Sequence, residues 1–255
     1  MGHFDNENNI IEYFRCLDDK DLWPLNTDCV EILECIREDN WRKWKDSSGK
    51  SDLPPDFYSE EYSVMMDVMR IDDHTHKNKK GKKVNHTYAK ESMMMKELKD
   101  SGWIDLIPKG KFITNGDSGL QTKEDHNYTW YKKNFIDVLS KHISKIDNYK
   151  KNHPGYKLVF FVFDESSTYF ESLNVVSEKD MVVGNKLSAK PHIHFLDKSF
   201  IDVIKGSEVD YLIWFTPFKK DEIYSEFPKA VILDLSDLPD ALIEYTEIRM
   251  ISNEV

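Results

Sequence analysis

The sequence predicts an α/β fold: a single domain with a central mixed β-sheet flanked by helices and a helical N-terminal extension. Three observations carry that expectation. The first is the run Lys157–Ser167, KLVFFVFDESS, in which Leu158 to Phe163 are all apolar and stop at Asp164 and Glu165. A short apolar run bounded by polar residues reads as a strand buried on both faces. The second is alternation. Helically spaced segments and apolar runs succeed one another from residue 128 to residue 251, the pattern of an open α/β sheet. The third is composition. With 40% hydrophobic and 13% aromatic residues in 255, the chain can bury a sizeable core.

The elements follow in order. Ile10, Ile11, Phe14 and Leu17 share one helical face, and Asp28 with Glu31 resembles a helix start before Val30, Leu33 and Ile36. Residues 1–45 are therefore a helical N-terminal extension. Residues 46–56, rich in Ser and Pro, are a linker, and residues 57–255 are the core domain. Tyr62–Ile71, nearly all apolar and rich in methionine, predicts a buried strand. A lysine-rich loop over 77–83 precedes a helix from Thr87 to Ser101 that ends at Gly102. Trp103–Ile107 and Lys111–Thr114 suggest a hairpin, and 116–127 a loop. Phe135, Val138, Leu139, Ile143, Ile146 and Tyr149 mark one helix over 128–151, stopped by Pro154-Gly155. After the strand at 157–163 come a strand at Lys190–Leu196 and a helix from Asp197 to Gly206. Strands at Val209–Phe215 and Ala230–Leu235 follow, and a helix over 240–251 closes the chain.

Several function classes are poorly supported. The sequence holds no P-loop, no G-x-G-x-x-G and no G-x-S-x-G, and has ten glycines, so no nucleotide cofactor is expected. Its apolar runs are far shorter than a membrane span. MGHFDNENN has neither a basic start nor an apolar region and does not read as a signal peptide. Cys16, Cys29 and Cys35 form no C-x-x-C, and reduced thiols in a cytoplasmic protein are the simplest account. A net charge of −11 argues against coating nucleic acid or an anionic membrane. Charge is unevenly spread, however. Residues 1–40 carry three basic and eleven acidic side chains, while Trp130–Lys157 carries seven lysines against two aspartates. Lys132, Lys133 and Lys141 could thus steer an anion such as nucleic acid.

Candidate chemistry centres on carboxylates. Asp67 interrupts an apolar strand on the pleat face of Met65 and Met69, and an unpaired buried carboxylate is costly. It must be paired with Arg70, Arg37 or a lysine, or protonated, or metal-bound. Asp164 and Glu165 end the apolar run, where ligands of open α/β sheets bind. Together the three acids offer oxygen donors suited to Mg²⁺ or Mn²⁺. His192 and His194 share one face if their segment is a strand, a ligand pattern for a transition metal.

The acids Asp67, Asp164 and Glu165, with Lys157, resemble the core of restriction-endonuclease-type nucleases, where acids on neighbouring strands bind metal beside a lysine. The resemblance implies a metal-dependent phosphodiesterase or nuclease with those three acids as ligands. Its D/E-x-K signature is missing from the strand of the second acid, where Ser166 and Ser167 follow. The two such triplets, Asp18–Lys20 and Glu97–Lys99, fall in loop or helix. Lys157 lies at the wrong end of its strand, so the lysine must come from elsewhere, for example Lys219. The alternative is a non-catalytic interaction or regulatory protein in which Asp-Glu-Ser-Ser is an ordinary turn or the cap of a following helix.

Overall fold

In the computed structural model the chain is described over residues 7–47, 55–73, 75–77, 83–85, 96, 99–100, 102, 128–173, 188–219 and 227–252. The N-terminal segment supplies helix α1 (Glu7–Arg15), strand β1 (Leu22–Pro24), helix α2 (Thr27–Ile36) and the short strand β2 (Lys45–Asp46). Ile10, Ile11, Phe14 and Leu17 are buried together, as their spacing predicts. Asn26, not Asp28, caps α2: its side-chain oxygen accepts the Cys29 amide. Moving the start back two residues turns Val30 outward and brings in Cys29 and Ile32. Strands β3 (Phe57–Ser59) and β4 (Val64–Ile71) follow, then the hairpin β5 (Thr75–Lys77) and β6 (Lys83–Asn85). The helix expected over 87–101 and the hairpin expected over 103–114 lie largely outside the described residues. Gly102 has φ +76°, the left-handed conformation of a helix-terminating glycine.

The single helix expected over 128–151 is two, α3 (Tyr128–Ile143) and α4 (Ile146–Asn152). Strand β7 (Lys157–Asp164) is the predicted central strand. Strands β8 (Tyr169–Ser172) and β9 (Ala189–Pro191), helix α5 (Lys198–Ile204), and strands β10 (Tyr211–Phe215), β11 (Ala230–Asp234) and β12 (Met250–Ser252) complete the chain. Three expectations need correction. No helix follows Asp-Glu-Ser-Ser; β8 does. His192 and His194 lie beyond β9, in a bend and a single helical turn, and so share no strand face. Residues 240–251 do not form the expected helix; Glu247–Arg249 make a single 3₁₀ turn. Ile243 donates to Leu196 O and accepts from Lys198 N, so its backbone is held extended before β12 begins.

The main sheet has seven strands in the order β1-β11-β10-β7-β4-β3-β2. Strands β4, β7 and β10 run parallel at its centre, while β11 and β3 are antiparallel to their inner neighbours. The first 46 residues therefore supply both edges. Each face carries its own core. Odd residues of β7 (Val159, Phe161, Phe163) pack with Ile10, Phe14 and Ile32 under α1 and α2. Even residues (Leu158, Phe160, Val162) pack with Phe135, Leu139, Phe200 and Trp214 under α3, α4 and α5. A strand covered on both sides has no polar position to spare, which is why LVFFVF lacks alternation. A second, antiparallel sheet of order β12-β8-β9 extends from the end of β7. Among the described residues no helix is long and apolar enough to cross a membrane.

Candidate functional site

The parallel strands β4, β7 and β10 end side by side, and the polar residues just beyond them gather at one edge of the sheet. Asp164, at the end of β7, is fully buried. Its carboxylate accepts the Tyr131 hydroxyl at 2.6 Å, the Trp214 indole N–H at 3.0 Å and the Ser166 amide at 2.9 Å. The Lys219 ammonium lies 3.7 Å away. Burial alone raises a carboxyl pKa, but the Lys219 ammonium and then the bonds from Ser166 and Tyr131 outweigh it and hold Asp164 below the usual range. Lys219 is equally enclosed. It donates to Ser166 Oγ at 2.7 Å and Ser167 O at 2.8 Å, and stands 5.0 Å from the centre of the Tyr131 ring. Lys219 is thus held between Asp164, Ser166 and Ser167.

Two histidines border this corner. His192 Nε2 lies 2.8 Å from Asp197, which also accepts the Tyr128 hydroxyl and caps α5 through Ser199. Burial lowers the His192 pKa against the pull of Asp197. His194 packs on the Trp214 ring at 4.9 Å, and neither of its ring nitrogens has a hydrogen-bond partner among the described residues. Burial and then Lys219 push its pKa well down, so the ring is neutral. Asp73, beyond β4, accepts the Ser167 amide and the Tyr169 hydroxyl. Each acid at this edge thus holds a loop or a tyrosine in place.

Asp67 stands elsewhere. Strands β4 and β7 pair Asp67 with Phe160 and Ile71 with Asp164. Asp67 is therefore four residues back along the strand from Asp164, about 13 Å at ~3.3 Å per residue. Its carboxylate accepts the Tyr149 hydroxyl at 2.9 Å and is bonded by His142 Nδ1 from the last turn of α3. The expected partners Arg70 and Arg37 are not used. Arg70 instead pairs with Glu165, donating from Nη2 at 2.7 Å and from Nε at 3.1 Å. Arg37 bonds Asp19 and the Leu17 carbonyl.

Asp67, Asp164 and Glu165 consequently share no ligand sphere, because oxygens on one hard cation sit within about 5 Å of each other. Among the described residues no three His, Cys, Asp or Glu side chains are placed to hold a metal ion. Mg²⁺ or Mn²⁺ does not fit the donor set proposed for it. Of the lysines expected to steer an anion, Lys132 pairs with Glu247 and Lys133 with Asp137. Lys141 is exposed. Lys219 alone of the expected residues joins Asp164. The three cysteines are free thiols, and burial pushes those of Cys29 and Cys35 up.

Sequence reasoning missed Tyr131, Trp214 and His142 as partners of the buried acids. A polar tip on an aromatic ring at a core-facing helical position was the available signal: Tyr128, Tyr131 and Tyr149 repeat on the buried face of the α3–α4 region. Comparison with protein-family models, curated proteins and solved structures finds no match to this chain.

Proposed function

We propose that this chain is a non-catalytic interaction or regulatory protein of the cytoplasm, whose buried acids act as internal struts. One observation carries the reading: each acid suited to catalysis is already occupied by donors from its own fold. Asp164 holds Tyr131, Trp214, Ser166 and Lys219, Asp67 holds Tyr149 and His142, and Glu165 holds Arg70. A hydrolase must leave oxygens open for a metal, a proton or a water. The pairing of Lys132 and Lys133 with acids, together with the net charge, favours a protein partner over nucleic acid.

The competing reading is a metal-dependent phosphodiesterase built around Asp164 and Lys219. The two separate in one experiment. Melting is followed with and without millimolar Mn²⁺ or Mg²⁺, and the protein is incubated with plasmid and single-stranded DNA. A strut protein shows an unchanged melting temperature and intact DNA. A saturable rise with Mn²⁺, since a native-state ligand stabilises by mass action, or cleavage abolished by Asp164→Asn, overturns the proposal.

A further inference from the structure

The environment of Asp67 contains a second carboxylate that no role yet explains. The ladder of strands β3 and β4 ends at Phe57 with Met66; Asp56, just before β3, bonds the Val68 amide and so brings its carboxylate beside Asp67, on which it acts electrostatically. Asp67 lies under α3 and α4, and the Asp56 carboxylate flanks it at the entry to β3. Asp56 also ties the sheet edge together through three bonds. Its carboxylate accepts the Val68 amide at 2.8 Å, and its carbonyl accepts the Ser47 amide at 2.7 Å and the Ser47 hydroxyl at 3.1 Å. The chain leading into β3 is therefore fastened to β4 on one side and to the end of β2 on the other.

We propose that Asp56, Asp67 and His142 form a proton-operated latch on the β2–β3 edge, closed while Asp56 carries a proton and loosened when it does not. Asp67 comes from β4, His142 from α3, the Tyr149 hydroxyl from α4 and Glu7 from α1. On β2 and in the turn after β3, Lys45 is bound to Glu60, and Asp46 accepts from Asn8. Among the described residues the largest influences on Asp56 include no arginine or lysine, and the one imidazole among them is bonded to Asp67 through Nδ1. Two carboxylates in such a place cannot both ionise cheaply. Burial first, then Asp67, pushes the Asp56 carboxyl up to about 7, against the Val68 amide that favours its anion. Tyr149 is pushed far above its ordinary range by burial and by Asp67, so it remains a donor throughout.

The sign follows from linkage. A carboxyl whose folded pKa is raised stabilises the native arrangement fully below its unfolded value. That contribution is lost as pH rises through the folded value, here between about 4 and about 7. Loss falls on the bonds Asp56 makes, so the β2–β3 edge opens before the rest of the sheet. An opened edge presents the backbone of β4 for pairing, the kind of surface a regulatory protein offers to an extended partner segment.

Two measurements on the whole chain test the latch. The first follows the Asp56 carboxyl ¹³C shift from pH 3 to 9; it is expected to titrate near neutrality. The second is native-state amide exchange of Val68 and Ser47 from pH 5.5 to 8.5, corrected for intrinsic exchange. Opening of these amides should rise by up to about tenfold per pH unit while one proton is linked to it. In Asp56→Asn that rise should vanish, leaving the edge protected at high pH. Titration of Asp56 in the ordinary range near 4, or opening that is equally pH-dependent in Asp56→Asn, overturns the latch. The carboxyl titration decides the matter alone if Asp56→Asn does not fold.

Discussion

Removing the Asp164 carboxylate distinguishes three accounts of this corner by sign and size. Asp164→Ala leaves the Tyr131 hydroxyl, the Trp214 indole N–H and the Ser166 amide without their acceptor, in a site with no access to water. A buried donor left unmade costs about 1–3 kcal/mol. The same change leaves the Lys219 ammonium enclosed without its carboxylate, and breaking a buried pair on one side costs about 3–5 kcal/mol. These costs overlap, because Lys219 keeps Ser166 Oγ and Ser167 O. We expect a net loss of about 3–5 kcal/mol, the size of the one-sided break. A turn or cap acid is worth about 0.5–2 kcal/mol, and a metal-binding carboxylate in a metal-free protein, relieved of its own crowding, gives a neutral or stabilising change. Urea unfolding followed by tryptophan fluorescence at pH 7 measures the difference. Asp164→Ala with Lys219→Met should recover part of the loss, since the orphaned charge is gone. A loss under about 1 kcal/mol, or a double mutant as unstable as the sum of the singles, refutes the strut account.

Three further outcomes are expected. His194→Leu should raise the melting temperature, because the leucine removes two unpartnered ring nitrogens from a buried site, a gain of about 1–2 kcal/mol; a fall by more than that in thermal unfolding means that a partner was lost. Asp197→Ala should cost more than the ~2 kcal/mol upper end of an ordinary cap, since it also frees His192 and the Tyr128 hydroxyl; Asp197→Ser, which can still cap, should recover only part of it in chemical denaturation. Acid unfolding should begin as pH falls below the ordinary carboxylate range. Asp164 and Asp197 both have lowered pKa values, so their contribution is complete above that range and disappears as they take up protons. Circular dichroism against pH reads this directly, and a transition left unmoved by Asp164→Asn counts against it.

How much of this was legible beforehand depends on which interactions fix each feature. Strands β4, β7, β10 and β11 announce themselves because a strand covered on both faces is apolar almost throughout, Asp67 being the exception in β4. The buried face of α1 and the Asp197 cap are local patterns and read correctly. What failed was set by distant contacts. The segment 240–251 has helical composition, but the Ile243 backbone pairs with Leu196 and Lys198, and Tyr245 Oη bonds Ile193 N and Pro191 O. Strand β12 exists because β8 lies beside it. His192 and His194 lost their strand at Pro191, where Asp197 and Trp214 draw the two rings apart. The gap between Asp67 and Asp164 was hidden for another reason. Parallel register has no local signal: both acids do lie on one face of adjacent strands, and the four-residue offset that separates them is set by where α4 delivers the chain to β7.

Because β1 pairs with β11, residues 22–24 wait for residues 230–232 before they have a neighbour. During synthesis the acidic leading segment emerges long before the strand it will border, and the opposite border, β2, is equally early. The sheet can therefore be sealed on that flank only once residues 230–232 have been made. Until then the same eleven acids that give the first forty residues their charge keep nascent copies apart by mutual repulsion. Removing residues 1–46 would leave the five-stranded sheet β11-β10-β7-β4-β3 with two raw flanks, prone to growing into fibres rather than halting at seven strands.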